Sequence, residues 1–300
     1  MSDPAPNAAL EAFTAHRNLL FTVAYEMLGS AVDAEDVLQE TWLRWAAVDL
    51  THIRDARTYL VRITTRQSLN RVRTMRRRRE TYVGPWLPEP LMTTPDVAED
   101  VGLAESVSMA MMVVLETLSP TERAVFVLRE AFEFSYDEIA AAVDRSVAAV
   151  RQIALRARRH VAARRPRDVP SRAQSRAVVD SFQRALQTGD IQGLLDVLAP
   201  EVVLVTDGGG ARAAPRPVVG AEKVLRYITG GVGRAAGAGF ALALAPTVVN
   251  GSPALVMRVN GKVDGVMAVR VEQARITALY YVRNPNKLAR ATSETALSRH

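Results

Sequence analysis

The chain has 300 residues, 48% of them apolar, with 38 Lys plus Arg against 32 Asp plus Glu for a net charge of +6. That length implies two or three domains with ordinary cores, and no stretch approaches the roughly 20 apolar residues that a membrane-spanning helix requires. With no cysteine there is no disulfide frame, thiolate metal site or thiol nucleophile. Residues 1–7 lack a basic-then-apolar signal pattern, so a cytoplasmic protein is expected.

Residues 10–80 read as helices. Phe13, Leu19, Leu20, Val23, Ala24, Met27 and Leu28 form an apolar stripe that ends at Gly29-Ser30. A second helix opens near Asp33 and repeats its apolar face at Val37, Leu38, Thr41, Trp42 and Trp45. Asp36, Gln39 and Glu40 fall between these positions and should face outward. Ten arginines then follow from Arg54 to Arg79, bounded by Asp55 and Glu80. Ile53, Tyr59, Leu60, Ile63, Leu69 and Val72 run through them at roughly helical spacing, so one face can pack while the other holds a polyanion. Arg62 and Arg66 lie one turn apart, with Arg73 on nearly the same face. A basic helix can also meet a membrane or simply face solvent.

Residues 84–101 hold four prolines and several acids, a linker by composition. Helical signals return over 102–165. Ser119-Pro120-Thr121-Glu122 is a capping box with proline at the first helical position. Ser135 to Glu138 is a second, opening a short helix through Ile139, Ala140 and Val143. Asp144-Arg145-Ser146 breaks it, and Ser146 caps a third helix running to about Ala163. A short helix, a tight turn and a longer basic helix make the helix-turn-helix pattern. Val147, Val150, Ile153 and Ala154 are its inner face, leaving Ser146, Arg151, Gln152, Arg156 and Arg159 for phosphates and base edges. Residues 145–165 hold seven arginines and no acid.

The texture changes after Pro166 and Pro170. Residues 173–198 read as two helices split by Thr188-Gly189-Asp190. Valine-rich runs at 202–205, 240–249, 254–259, 263–271 and 276–282 read as strands, with a helix near 221–228 between them. Asn250-Gly251 and Asn260-Gly261 are hairpin turn signals. Helices followed by a curled antiparallel sheet predict a separate α+β domain. Asp207 and the three glycines after it form a loop that permits positive φ and close approach of another chain segment.

Here a resemblance becomes specific. Asp33-Ala-Glu-Asp-Val-Leu-Gln-Glu-Thr-Trp-Leu-Arg-Trp45 looks like the polymerase-binding helix of region 2 in extracytoplasmic-function (ECF) sigma factors. The segment from Arg57 to Arg79 resembles the following helices, which melt and read the −10 element, and Leu118 to Ala163 resembles region 4, which binds the −35 element. The implied fold is two all-α sigma domains, at 8–83 and 102–165, followed by an α+β cone. The resemblance implies core RNA polymerase and promoter DNA as partners. Asp36, Gln39 and Glu40 would meet the clamp helices of the polymerase's largest subunit. Arg62, Arg66, Arg71, Arg73, Arg76 and Arg77 would lie toward the −10 DNA, and Ser146, Arg151, Gln152, Arg156 and Arg158 toward the −35 DNA. Where many members carry an asparagine in the region 2 helix, this chain has Arg66-Gln67-Ser68-Leu69.

Residues 173–288 resemble a SnoaL-like (NTF2-like) cone, with a tail at 289–300. Trp86-Leu87-Pro88-Glu89-Pro90, Asp207-Gly208-Gly209-Gly210 and Asn284-Pro285-Asn286-Lys287-Leu288 together look like the SigJ-type subgroup. In that subgroup the extension is implied to regulate the sigma factor in cis. Asn286 replaces the usual Asp of the motif, and Ala211 stands where a basic residue is usual, with Arg212 next. Such cones also occur as enzymes and ligand binders. A proton-transfer site would need Asp207 or Asp264 with Tyr280 or Tyr281, and Arg258 as a donor. No histidine occurs from 161 to 299, so a binding protein is expected rather than an enzyme, with a small effector in the cone as an optional partner and no metal or cofactor. A helix-turn-helix regulator with a ligand-binding domain is the other reading.

Overall fold

In the computed structural model, residues 4–80, 82–94, 97, 99–164, 170–210, 213–290 and 293–299 are described; the side chains of 4–6 and 76–80 lie outside the described residues. Helices α1 (Pro4–Leu28), α2 (Ala31–Trp45) and α3 (Ala56–Glu80) form the first bundle. Gly29, at φ 67°, closes α1, and the Ser30 side chain accepts from the Asp33 amide to start α2. Leu19, Leu20, Val23, Met27, Val37 and Leu60 are buried between them. Trp45 sits among them with its indole N–H donating to the Ala9 carbonyl at 2.8 Å.

Further α-helices follow among the described residues: α4 (Val101–Val107), α5 (Met109–Leu115), α6 (Pro120–Phe126), α7 (Tyr136–Val143) and α8 (Val147–Ala162). Both expected capping boxes form, at Ser119/Glu122 and Ser135/Glu138. Asp144 turns the chain between α7 and α8 in the left-handed region, at φ 55°. These helices share one continuous core with the first bundle, running from Ala9 through Val161. The proline-rich segment is no solvated spacer either: Leu87, Pro88, Glu89, Pro90 and Leu91 are all buried.

The C-terminal part begins with α9 (Arg172–Thr188) and α10 (Ile191–Val197), split at Gly189 and Asp190 as their cap chemistry predicts. Six strands follow, β1 (Leu198–Asp207), β2 (Val218–Val219), β3 (Leu242–Val249), β4 (Ser252–Val259), β5 (Lys262–Glu272) and β6 (Arg275–Val282), with α11 (Ala221–Gly237) between β2 and β3. Their order is β2-β1-β6-β5-β4-β3. The sheet is mixed, not antiparallel throughout: β1 pairs β6 in parallel. Period-2 patterning gives strands but not their direction, which is set by the helical crossover between β1 and the later meander. Helix α11 runs past the expected stop at 228 through Gly230, Gly231 and Gly233; glycine lowers helix propensity without forbidding the conformation.

One sheet face packs Leu255, Met267, Leu279 and Tyr281 against Phe182, Leu194 and Val224 inside the cone. The opposite face presents Ala268, Ala278, Tyr280 and Val282 to Leu87 and Met109. The sheet is therefore covered on both sides, once by its own helices and once by the helical half of the chain. That second covering places the functional elements.

Candidate functional site

Helix α2 offers one uncovered stripe. Val32, Asp36, Gln39 and Leu43 follow i, i+4, i+7, i+11 spacing, which puts them on one face. Gln39 and Glu40 are exposed, as expected, and Leu43, 69% exposed, stands beside them. Sequence reasoning named Asp36, Gln39 and Glu40 on this face and did not single out Leu43, whose large apolar side chain is left in solvent.

Helix α3 lies between two neighbours, and most of its arginines are engaged. Arg62 stacks over the Tyr59 ring, 4.5 Å from its centroid. Arg66 donates from Nη2 to the Ala141 carbonyl at 2.9 Å and from Nε to that of Ala142 at 3.4 Å, at the C-terminal end of α7. A cation suits that end of a helix, where carbonyls are unpaired. Arg71 bridges Asp33 at 2.7 Å and Asp36 at 2.5 Å. Arg73 is exposed and donates to the Asn70 side chain at 3.2 Å. The side chains of Arg76 and Arg77 lie outside the described residues. Thr58 also donates to Glu138 at 2.9 Å, and Arg57 sits 4.6 Å over the Phe134 ring. The basic helix and the helix-turn-helix thus touch directly.

On α8, Val150, Ala154, Ala157 and Val161 are buried, with Val147 and Ile153 packed at the edge of the core. Ser146 caps the helix by accepting from the Ala149 amide at 3.2 Å. Gln152, Arg156 and Arg159 line up on an exposed face, and Arg151 lies 5.6 Å over the Tyr136 ring. Arg158 points elsewhere, to Glu130 at 2.6 Å.

The three motifs of the C-terminal resemblance meet at one place. Asp207 is buried at the end of β1 and accepts from the Tyr82 hydroxyl, the Leu87 amide at 2.9 Å and the Lys287 ammonium at 2.7 Å. Lys287 also donates to the Leu87 carbonyl at 2.6 Å and lies 3.9 Å over the Trp86 ring. Asn284 donates to the Tyr82 hydroxyl at 2.8 Å, and Pro285 opens the short turn that carries Lys287. Gly208 is buried, Gly209 and Gly210 adopt φ of 66° and 93°, and a Cβ on Gly209 would come 3.0 Å from the Asn284 side chain. Leu288 packs on the outer face of the sheet. The positions Ala211 and Arg212 lie outside the described residues.

Trp86, Pro88 and Glu89 carry this contact on to the start of α2. The Glu89 carboxylate accepts from the Ala31 amide at 2.7 Å at the start of α2, where a negative charge is favoured. The Glu89 carbonyl accepts from the Tyr25 hydroxyl at 2.7 Å. Trp86 presses on the α1–α2 corner so closely that a Cβ on Gly29 would come 2.9 Å from its ring.

A second junction forms at the β3–β4 turn, which sequence reasoning treated as an ordinary hairpin. Asn250, at φ 53°, is fully buried. Its amide group donates to the Tyr25 hydroxyl at 2.7 Å and the Val107 carbonyl at 2.8 Å, and accepts from the Leu91 amide at 2.9 Å. The tail adds a third. Thr295 donates to the Met92 carbonyl at 2.7 Å, Leu297 enters the helical core, and Arg299 pairs with Asp100 at 2.7 Å.

Behind these contacts, Glu26 of α1 is buried where α4, α6 and the tail converge. Burial pushes its carboxyl up to about 7, opposed by a Ser106 hydroxyl at 2.8 Å and by the charges of Arg123 and Arg299. Raised above its ordinary 4.5, this group binds a proton more tightly in the folded chain than in the unfolded one. Its contribution is complete below 4.5 and is lost as pH rises through about 7. Glu26→Gln should flatten the melting temperature across that window, while the parent declines; equal slopes in the two proteins would contradict the assignment.

Both carboxylates named for a proton-transfer site have partners. Asp207 is committed to the junction, and Asp264 is held by Arg283 at 2.8 Å and by the Tyr281 hydroxyl at 3.1 Å. Among the described residues no cluster of metal-binding side chains occurs, and no helix is long and apolar enough to cross a membrane.

Known proteins share this layout. Sigma-70 region 2 matches residues 12–79 and Sigma-70 region 4 matches residues 108–161. The ECF RNA polymerase sigma factor SigJ of Mycobacterium tuberculosis is 38% identical over 289 residues, 92% of this chain and 91% of that protein. The probable ECF RNA polymerase sigma factor SigI of the same species is 33% identical over 96% of this chain and 97% of its own length. The crystal structure of M. tuberculosis SigJ superposes with a TM-score of 0.75 at 34% identity, covering 93% of this chain and 98% of that one. Region 2 bundle, region 4 helix-turn-helix and fused α+β cone are therefore shared end to end, and the chain belongs to the extracytoplasmic-function sigma factors of RNA polymerase.

Proposed function

We propose that this sigma factor directs core RNA polymerase to its promoters only after its own C-terminal domain releases the two DNA-reading parts. The observation that carries this is the direct contact between α3 and α7, in which Arg66 of one helix is bound by the carbonyls of the other. Promoter elements named −10 and −35 are about 25 base pairs apart, or roughly 80 Å at ~3.4 Å per step. Two helices in hydrogen-bond contact cannot reach both. Opening is required, and the junctions at Asp207, Asn250 and Arg299 oppose it.

In this reading α2 meets the clamp helices of the polymerase's largest subunit through Asp36, Gln39, Glu40 and Leu43. Arg62, Arg66, Arg71, Arg73, Arg76 and Arg77 serve the −10 DNA, and Ser146, Arg151, Gln152, Arg156 and, on leaving Glu130, Arg158 serve the −35 DNA. Trp86, Pro88, the Asp207–Gly210 loop and the 284–288 turn form the regulatory contact. The boundaries follow the same division: region 2 at 8–83, connection at 84–101, region 4 at 102–165, cone at 173–288 and tail at 289–300. The cone is non-catalytic, and the protein works in the cytoplasm beside the polymerase.

Run-off transcription with core enzyme tests both parts. The full chain should support promoter-specific initiation weakly, and a chain ending at Arg165 more strongly. No initiation from either would favour a helix-turn-helix regulator acting on another sigma factor's holoenzyme. Leu43→Ala should weaken binding to core polymerase about tenfold, as deletion of a central apolar contact does; unchanged binding would remove Leu43 from the contact face.

A further inference from the structure

A cavity of about 310 Å³ lies on the seam between the helical half and the cone. This is the lower end of the size range for small-molecule sites. It is not the interior of the cone, which is filled by Phe182, Met267, Leu279 and Tyr281. One wall is Val101, Ala104 and Met109, from α4 and α5. The opposite wall is Ala268 and Tyr280 on the outer face of the sheet, roofed by Ser175 near the start of α9. Neither half of the chain makes the cavity alone.

Its lining is mostly apolar, and its charged groups are few: Arg172, Arg270 and Glu105. Arg270 is balanced by Glu272 on the same strand and hydrogen-bonds with the buried Tyr280 phenol. The Arg172 side chain, by contrast, makes no hydrogen bond or ion pair with any described residue. It stands at the first position of the 17-residue helix α9, where the helix dipole adds further positive potential. Glu105 is itself engaged, so the apolar walls with the Arg172 guanidinium at the rim suit an apolar molecule that carries a single negative charge.

We propose that this seam binds a small apolar carboxylate and that its occupant holds the chain closed. The coupling half rests on the reading given under Proposed function; the binding half does not. Because both walls are required, the occupant has affinity for the closed form alone. At a hundred times its dissociation constant it lowers the open population about a hundredfold.

The experiment uses the full chain, with octanoate as probe and octanol as its uncharged counterpart, read by calorimetric titration and thermal melting. Octanoate should bind saturably and raise the melting temperature, and octanol should bind at least tenfold more weakly. Arg172→Gln, at an exposed position, should weaken octanoate about tenfold and leave octanol unchanged. Ser175→Trp should fill the cavity and abolish both. Octanoate binding no tighter than octanol, or undiminished in both variants, overturns the site. In run-off transcription octanoate should suppress the parent and not Ser175→Trp. Saturable, Arg172-dependent binding without suppression overturns the coupling and leaves the site standing.

Discussion

Asp207→Ala is expected to cost about 3–5 kcal/mol of folding stability, the range for removing one partner of a buried ion pair. The carboxylate has three donors from outside its own loop: Tyr82, Leu87 and Lys287. Its loss strands a Lys287 side chain that is 12% exposed, together with a buried amide. Lys287→Met leaves the carboxylate uncompensated instead, so each single change is severe and the double change milder than their sum. The melting temperature should fall by several degrees, and run-off transcription from core polymerase should rise. Asp207→Ala that melts like the parent, or leaves output unchanged, would refute the role of this contact. The double-mutant cycle separates it from general damage, because only direct partners show strong coupling.

Asn250 should be nearly as sensitive, for a different reason. Three hydrogen bonds leave its side chain toward three separate segments, α1, the proline-rich strap and α4. The residue also sits at φ 53°, where Asn and Gly are tolerated and other residues are strained. Asn250→Gly keeps the turn and removes only the hydrogen bonds, at roughly 1 kcal/mol each or about 3 kcal/mol in all. Asn250→Ala adds backbone strain of about 1 kcal/mol. Asn250→Asp buries a charge with both donors gone and should be the most damaging of the three. Denaturant unfolding of the three variants orders them; a glycine variant as stable as the parent would mean that the hub contributes nothing. Gly251→Ala offers an independent check, since its Cβ would come 2.7 Å from Ala104.

What the sequence made legible was local. The two capping boxes, the Ser146 cap, the Gly189 helix end and the asparagine-glycine turns depend on residues within four positions of one another, and all form. The partners of those elements were hidden. Asn250-Gly251 carries the same signature as Asn260-Gly261, yet the second turn is largely solvated while the first is sealed among three other segments. Prolines 85, 88 and 90 announced an irregular path and were equally compatible with a spacer, because proline restricts backbone angles and says nothing about burial. The pairing of Asp207 with Lys287 was reachable only through the resemblance, since 80 positions separate them, and Tyr82, 125 positions from Asp207, was not singled out at all. Direction was likewise unreadable for β1, whose valines fit a parallel or an antiparallel neighbour equally well.

On the proposed reading that Arg66 and Arg71 serve the −10 DNA, their pairing inside the protein has a thermodynamic consequence for promoter affinity. A free guanidinium that settles on a DNA phosphate releases a condensed cation from the duplex, and each such release steepens the dependence of log K on log salt by about 0.9. These two arginines already hold helix carbonyls and carboxylates. Separating α3 from α7 frees Arg66 alone, because Arg71 is held by Asp33 and Asp36 of α2 in the same bundle; the residual attraction of the closed chain to DNA should therefore be shallower in salt by roughly one contact than that of the opened chain. Ionic strength therefore acts as a gauge of posture: the slope itself, measured for the full chain with and without core polymerase, counts how many arginines have changed partners.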